Sequence, residues 1–405
     1  MRFLVNRKEF INRLDIFLGL VDNKDNIDTK GITNHFVLDS NIILYASIEN
    51  NNINLVGANS KTQISVITIL DATVTKEGKL AINPHLLKQI LNEIKSPEDS
   101  IEIKSDKVFL IIQGVKLRYI KYDTIPSFPK ATDILLTVKC DFLKQALDSC
   151  VVINEIEEKM SILNNLCIFG YMNNNSQENK LFFCSSARTS ISLFSITNIE
   201  NNLNSGQLLL NKNILTLLFI LCTKYKDNNI SIYKTEKNKI AFLLDDYYIL
   251  MNNIYGEYPD ILPLFNTKNI FLLQLSTDII LSIFKKISIL NKKNAAIVEF
   301  VFDKNILNIL FKNSISEVSE DIELPFSVLQ KTEISFNYLK LLTILNSFGK
   351  DDPVFNFSFG ESSKPLFVSL PSIVSGDSVI SKQHIIIPAR SQKNENQKES
   401  SNLSV

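Results

Sequence analysis

The sequence contains few of the residues, and none of the short motifs, from which catalytic and metal-binding sites are usually recognised. There are 3 histidines among the 405 residues, namely His35, His85 and His384. None of them has a carboxylate or a cysteine at the spacing of a metal-binding motif. The glycine-rich nucleotide-binding motifs, the zinc-protease helix motif and the nucleophile motif of serine hydrolases are absent from the sequence. We therefore predict a protein that is not an enzyme and that has no metal and no cofactor.

Cysteine is scarce and net charge is absent. The 5 cysteines include no C-x-x-C pair, and they lie in apolar patterns typical of reduced core thiols in a cytoplasmic protein. The formal net charge is +0. Overall basicity therefore does not indicate a nucleic-acid partner, but basic residues gathered on one face would still attract one.

Long hydrophobic runs are also missing. No apolar stretch reaches the ~20 residues that a membrane-spanning helix needs. The N-terminus, MRFLVNRKEF, is charged within its first eight residues and lacks the apolar centre of a signal peptide. We predict a soluble, cytoplasmic chain that does not associate with a membrane.

One pattern occurs six times, most clearly in LLTVKCDFLKQALDSC at residues 135–150. An apolar residue ends a strand-like run, a polar residue follows, and apolar residues return five and about nine positions later. The six copies begin at Val5, Ile82, Val138, Leu210, Leu275 and Ile334. Each copy predicts a strand that leads into an amphipathic helix.

The residue after each leading apolar position supports this interpretation. Most of these residues have side chains that cap helix N-termini well, namely Asn6, Asn83, Asn211, Ser276 and Ser335. Lys139 is the exception.

The six units and the strand-like runs between them recur in one order three times. Breaks fall at Pro126 and Pro129, and again at Pro259 and Pro263, where proline cannot continue a β-ladder. We predict an α+β fold of three similar domains, each an internally doubled strand-helix-strands unit, at residues 1–130, 131–263 and 264–390. Residues 391–405 are predicted to be a disordered tail.

Basic residues lie outside the apolar stripes of the predicted helices: Arg7, Lys8, Arg13, Lys88, Lys139, Lys144, Lys212, Lys285, Lys286 and Lys340. On a single helix this is usually only a solvated face. Six equivalent helices lining one surface would instead attract phosphates without reading sequence.

The sequence resembles a known family, the beta subunit of bacterial DNA polymerase III, which is the sliding clamp. The resemblance extends to Arg390 and rests on VNRKEFINRL, LTVKCDFLKQAL, GEYPDILP, TEISFNYLKLLTILNSF and IIIPAR. It implies three similar clamp domains that form a closed ring as a head-to-tail homodimer, with helices facing the hole. The ring would encircle duplex DNA and tether the replicative polymerase, its alpha subunit, the clamp loader and other clamp-binding proteins.

The resemblance also implies an apolar pocket that receives a short partner peptide. Its positions here are Leu163, Ser186, Ile191, Pro259, Leu264, Ile385, Ile386, Ile387, Pro388 and Arg390. The family usually has Thr-Asp-Gly-His-Arg-Leu where this chain has the residues from Ser186 to Ile191, and an arginine at Pro263. We therefore expect partner peptides to differ from the usual motif.

The same resemblance assigns two further surfaces. Lys24 and Lys30 are the nearest basic residues to the first-domain loop that contacts DNA. The ring interface is expected to join Ile120 and Tyr122 of one copy to Ile289 and Leu290 of the other. The alternative that the sequence leaves open is a repeat scaffold that binds only proteins and never encircles DNA.

Overall fold

In a computed structural model, the described residues are 1–22, 34–94, 99–150, 162–173, 178–187, 189–203, 206–265, 271–290, 297–313, 315–348, 354–359 and 364–389. Lys24, Lys30, Arg390 and the predicted tail lie outside them. The chain divides into two compact units. Unit 1 comprises Met1–Lys144, Glu200–Asn204 and Leu210–Tyr255; unit 2 comprises Gln145–Ile199, Ser205–Leu209 and Gly256–Val405. The predicted boundaries near residues 130 and 263 stay a prediction.

The described residues form eight helices, numbered in chain order: α1 Arg7–Leu20, α2 Asn34–Ser40, α3 Pro84–Glu93, α4 Cys140–Ser149, α5 Lys212–Lys224, α6 Leu262–Phe265, α7 Thr277–Leu290 and α8 Tyr338–Ser347. All six predicted helices are present, as α1, α3, α4, α5, α7 and α8. Among the described residues, none of the helices is long and apolar enough to cross a lipid bilayer.

The strands of the described chain are β1 Arg2–Asn6, β2 Ile42–Ser47, β3 Asn52–Asn59, β4 Ile64–Lys76, β5 Gly78–Ile82, β6 Ser100–Ser105, β7 Phe109–Ile112, β8 Val115–Arg118, β9 Ala131–Lys139, β10 Leu166–Asn173, β11 Glu178–Ala187, β12 Ser190–Thr197, β13 Gln207–Leu210, β14 Asn229–Thr235, β15 Lys239–Leu244, β16 Tyr247–Asn252, β17 Phe271–Ser276, β18 Ile297–Asp303, β19 Ile306–Lys312, β20 Glu317–Glu323, β21 Thr332–Asn337, β22 Val354–Phe359, β23 Leu366–Ser369, β24 Ile373–Ser375 and β25 Ser378–Ile386. Strands β1, β5, β9, β13, β17 and β21 immediately precede the six repeated helices. The predicted strand-helix repeat is therefore confirmed.

The strands of unit 1 build a 12-stranded sheet with the main order β8-β7-β6-β1-β4-β16-β15-β14-β9. Its central pairing joins β4 to β16 in antiparallel register, with Thr68 opposite Tyr247 and Val66 opposite Ile249. These two strands belong to different predicted domains. The sheet therefore runs continuously across the predicted boundary at residue 130.

Unit 2 repeats this arrangement. Its nine-stranded sheet has the order β13-β10-β11-β12-β25-β23-β22-β17, and β12 pairs with β25 so that Ile191 lies opposite Ile385. A separate four-stranded sheet has the order β20-β19-β18-β21. Antiparallel sheets with the repeated helices between their strands confirm the predicted α+β class.

Helix packing against the sheets is close and apolar. In unit 1, α1 buries Phe10, Leu14 and Phe17 completely. A Cβ added to Gly57 on β3 would lie 2.7 Å from the ring of Phe17, so glycine is what allows the helix to approach the strand. Unit 2 is filled by phenylalanines, including Phe284, Phe300 and Phe336.

The five cysteines are buried free thiols, as predicted. Burial raises the pKa of Cys150 and that of Cys167 to about 12. Both therefore remain protonated near neutral pH and behave as small apolar core residues.

Of the five predicted N-caps, three are confirmed, Ser335 is wrong, and Ser276 stays a prediction. The side chains of Asn6, Asn83 and Asn211 accept hydrogen bonds from the backbone N–H three residues on, at 3.0 to 3.1 Å. For α8 the cap is Asn337, which accepts from Lys340 N at 3.1 Å. The predicted cap, Ser335, lies two residues earlier inside β21, because the strand continues to Asn337.

We expect Asn337→Ala to lower the free energy of unfolding of unit 2 by about 1 kcal/mol, because it removes the only side chain seen to cap α8 among the described residues. Asn337→Asp should keep most of this stability. The measurement is urea unfolding followed by circular dichroism. Ser335→Ala is the matched control, and a larger loss there than at Asn337 would contradict the assigned cap.

Candidate functional site

The structure brings together the predicted pocket residues that lie on three neighbouring strands. Ser186 on β11 is opposite Ile191 on β12, and Ile191 is opposite Ile385 on β25. Ser190, one position earlier on β12, is opposite Ile386. Ser186 and Ile191 thus share one end of the sheet with Ile385 and Ile386, almost 200 positions away in sequence. We call this end the groove, after the predicted peptide pocket.

The groove changes from buried to exposed at the end of β25. Ile385 and Ile386 are 3% and 1% exposed, whereas Ile387 is 46% exposed. Leu264 on α6 is also exposed, at 47%. Its neighbour Phe265 packs edge-on against Phe367. Phe367 belongs to β23 and lies opposite Ile385 of β25. Exposed aliphatic side chains that lie close together are typical of a surface that receives a partner.

Tyr258 anchors the segment that carries Pro259. Its hydroxyl donates to Ser186 Oγ at 3.0 Å, and its backbone is bonded on both sides by the amide of Gln207, at 2.8 and 3.1 Å. The ring is 3% exposed, and burial raises the pKa of Tyr258 well above its usual range. The sequence predicted a chain break here but gave Tyr258 and Gln207 no role.

Backbone hydrogen bonds hold the segment that follows β25. Ile387 N donates to Thr189 O at 2.9 Å, and Ala389 N donates to Ser335 O at 2.7 Å. The ammonium of Lys340, the third residue of α8, donates to the hydroxyl of Thr189. Lys340 was predicted to face DNA, and its contact places it beside Ile387 at the rim of the groove.

The remaining groove residues are less closely tied to it. Leu163 and Pro388 are half-buried, and Pro259 is exposed. Arg390 lies outside the described residues. The assignment of the ten residues to one peptide pocket stays a prediction.

His384 lies beneath the groove on the opposite face of β25. It is fully buried, with Nδ1 at 2.8 Å from Ser192 Oγ and Nε2 at 3.4 Å from Ser347 Oγ. The ring of Phe348 packs against it at 4.7 Å between centroids. Burial, followed by the charge of Lys382, lowers the pKa of His384 to about 3, so the imidazole is neutral in the folded protein.

The basic residues predicted to face DNA differ in exposure. Lys139, Lys212 and Lys285 are exposed. Lys8 and Lys286 are exposed and form ion pairs with Asp99 at 2.7 Å and with Glu320 at 2.5 Å. Exposed ion pairs of this kind contribute little to stability.

Other members of the set have structural contacts. Arg13 is 8% exposed and its guanidinium pairs with Asp246 at 2.7 Å. Arg7 donates to Leu91 O at 2.9 Å, Lys88 pairs with Asp15 at 2.5 Å, and Lys144 lies 5.1 Å from the centroid of the Phe219 ring. Sequence alone did not distinguish these residues from the exposed lysines.

The residues predicted at the ring interface also differ in exposure. Ile289 and Leu290, at the end of α7, are 70% and 36% exposed. Tyr122 is 9% exposed and packs in a cluster with Val37, Ile43 and Ala81. Ile120 exchanges two backbone hydrogen bonds with Ala81, at 2.8 and 2.9 Å. Their role in an interface stays a prediction.

Two sheet edges carry opposite charge. Strand β8 ends the 12-stranded sheet and contains Lys116 and Arg118. Strand β20 ends the four-stranded sheet and has the sequence EVSEDIE, with four carboxylates and no basic residue. Exposed edge strands offer unpaired backbone groups to another chain.

Comparison of this structure with known ones defines a class of fold, that of the bacterial DNA polymerase sliding clamps. The clamps of Caulobacter crescentus and Bacillus subtilis each match 96% of this chain over 99% of their own, with TM-scores of 0.78 and identities of 17% and 16%. The beta subunit of Streptococcus pyogenes DNA polymerase matches with a TM-score of 0.77 and 18% identity over 100% of its chain.

No model of a known protein family matches the sequence, and neither does any curated protein. The matches to solved structures confirm, through the fold, the resemblance to sliding clamps that was inferred from the sequence.

We expect the free energy of unfolding to decrease as the pH is lowered from 6.5, because of His384. The unfolded imidazole has a pKa near 6.5 and binds a proton there, whereas the folded one has a pKa of about 3 and does not. Stability due to this residue is full above pH 6.5 and is lost, by up to about 1.4 kcal/mol per pH unit, as the pH falls toward 3.

The measurement is urea unfolding at pH 5.0 and pH 7.5 for the wild type and for His384→Gln. The variant should lack this part of the pH dependence, so its difference between the two pH values should be smaller by about 2 kcal/mol. His85→Gln serves as the control. Equal pH dependence in the wild type and His384→Gln would contradict the buried neutral state.

Proposed function

We propose that this protein is a DNA sliding clamp, a non-catalytic processivity factor that encircles duplex DNA and tethers a replicative polymerase. The observation that carries this proposal is the six-fold strand-helix repeat, arranged in a fold that matches sliding clamps over 96% of the chain. The continuous pairings of β4 with β16 and of β12 with β25 support it, because they join successive repeats into uninterrupted sheets.

Ring closure would come from a second copy of the chain. Pairing β8 of one copy with β20 of another would satisfy two exposed edges and place Lys116 and Arg118 against an acidic strand. In a head-to-tail dimer this contact occurs twice and closes the ring. Ile289 and Leu290 would add an apolar contact beside it.

DNA would be held by topology and by weak, mobile phosphate contacts. Lys139, Lys212 and Lys285 belong to, or adjoin, three of the equivalent helices and are exposed. Ammonium groups attract phosphates at any sequence, which suits a protein that must move along DNA. Because the formal net charge is +0, the attraction of DNA to the rest of the protein surface is limited.

The groove would receive a short peptide from the polymerase alpha subunit, the clamp loader or other partners. A related clamp from Bartonella birtlesii was solved bound to griselimycin, at 16% identity to this chain. In this chain, the exposed aliphatic side chains of Ile387 and Leu264 support binding of apolar side chains at the groove.

We expect the protein to have a mass near 92 kDa in solution, twice the chain mass of 46.0 kDa. The double variant Ile289→Asp, Leu290→Asp should have the mass of a single chain. Carboxylates buried in an apolar contact without a partner would destabilise the dimer. Light scattering at low micromolar concentration measures both. Leu329→Asp, at a fully exposed position elsewhere in unit 2, is the control.

The predicted edge pairing can be tested separately. Asp321→Lys with Glu323→Lys should also dissociate the dimer, and adding Lys116→Glu with Arg118→Glu in the same chain should restore it. An unchanged mass in the first double variant would refute pairing between β8 and β20.

Retention on DNA tests the function itself. After loading by a cognate clamp loader, or after reversible ring opening in mild denaturant, the protein should stay on nicked circular DNA through a high-salt wash. It should be lost within minutes once the circle is cut, because a ring can slide off an end. Equal loss from both forms would favour the protein-only scaffold.

A further inference from the structure

Two thiols of unit 1 lie together where one repeated helix begins and another ends. Cys140 is the first residue of α4, and Cys222 lies in the last turn of α5. We propose that Cys140 and Cys222 form a reversible disulfide when the protein is exposed to a peroxide, and that this bond stabilises unit 1 by joining the two helix ends. The proposal concerns unit 1 alone and does not depend on the proposed function.

Backbone hydrogen bonds hold the start of α4 against the loop that follows α5. Cys140 N donates to Asn228 O at 2.9 Å, and the N–H of the next residue donates to Lys226 O at 3.1 Å. Farther along the same two helices, the Lys144 ammonium lies 5.1 Å from the centroid of the Phe219 ring. These contacts place the first turn of α4 beside the last turn of α5.

The two thiols contact each other at this place. Cys140 and Cys222 are both 0% exposed, and the Cys222 thiol donates a hydrogen bond to Cys140 Sγ. Sulfur atoms within hydrogen-bond reach have to approach by only about 2 Å to reach bonding distance. A disulfide between them therefore requires a local shift of two side chains and no change of fold.

The hydrogen bond makes the two thiols chemically unequal. It lowers the pKa of Cys140, against the opposing effects of burial and of the Asp245 charge, and it raises the pKa of Cys222. The N-terminus of α4 also favours a thiolate at Cys140, because the helix dipole adds partial positive charge there. Cys140 is therefore the thiol that attacks the oxidant, and Cys222 is the thiol that reacts with the product.

One molecule of hydrogen peroxide balances the reaction. The Cys140 thiolate attacks a peroxide oxygen, the O–O bond breaks, and the hydroxide that leaves takes up the proton of the original thiol and becomes water. The Cys222 thiol then attacks the sulfenic acid, which forms the S–S bond and releases a second water. A small oxidant reaches the buried pair through local opening of the helix ends.

The other three cysteines, all in unit 2, offer a comparison within the same chain. Cys167 on β10 lies directly opposite Cys184 on β11, and Cys150 Sγ donates to Phe183 O at 3.7 Å. Burial raises the pKa of all three thiols. They should stay reduced under conditions that oxidise the pair in unit 1.

Hydrogen peroxide, added to the reduced full-length protein in small molar excess, tests the proposal. The thiols counted after unfolding should fall by two from the 5 of the reduced chain, and the intact mass should decrease by two hydrogen atoms. Proteolysis without reductant should join the peptides of Cys140 and Cys222, and dithiothreitol should separate them. Retention of all thiols, or a bond between other cysteines or between two chains, overturns the proposal.

Single variants separate the roles of the two thiols. In Cys222→Ala the second step is blocked, so peroxide should leave a sulfenic acid on Cys140 that dimedone labels. In Cys140→Ala, Cys222 should remain a thiol. Cys167→Ala is the matched control and should form the same bond as the wild type. Equal dimedone labelling of Cys222 in Cys140→Ala would overturn the assigned roles.

Urea unfolding measures the effect of the bond on stability. A link between residues about 80 positions apart restricts the unfolded chain. The oxidised wild type should therefore unfold at a urea midpoint about 1 M higher than the reduced protein, whereas peroxide should not shift the midpoint of Cys140→Ala. Equal midpoints for the oxidised and reduced wild type would overturn the stabilising role.

Discussion

Antiparallel pairing between strands that are distant in sequence holds this fold together. The pairing of β12 with β25 joins Ser190–Thr197 to Ser378–Ile386 along seven residue pairs, and β4 with β16 does the same in unit 1. Each pairing replaces two free sheet edges by one continuous ladder. Without the β12–β25 pairing, the residues of the groove would not be neighbours, and His384 would lose its hydrogen bond with Ser192.

Burial along β25 and exposure past its end serve different purposes. His384, Ile385 and Ile386 are held in the core, where the neutral imidazole bridges Ser192 and Ser347. Past Ile386 the chain leaves the ladder and is held by two backbone hydrogen bonds, to Thr189 and Ser335. The rigid part of the strand thus positions a short exposed segment, which is the arrangement expected of a binding site on a stable scaffold.

The charged residues of the chain are unevenly distributed, and their positions matter more than their sum. A sequence with no net charge contains a basic strand edge at β8, an acidic edge at β20 and exposed lysines on or beside repeated helices. These local fields depend on where the charges lie and not on their sum. Arg13 shows the opposite case, because the same kind of residue on the same kind of helix is buried against Asp246.

The sequence by itself determined the local structure. Apolar spacing identified all six repeated helices, asparagine capped three of them where expected, and the α+β class followed, because these signals act within a few residues. Strand pairing across about 190 residues, the true cap at Asn337, the anchoring by Tyr258 and Gln207, and the contact of Lys340 with Thr189 were decided only by tertiary structure. They depend on register and on which distant side chains meet, and neither periodicity nor composition encodes that information in a readable form.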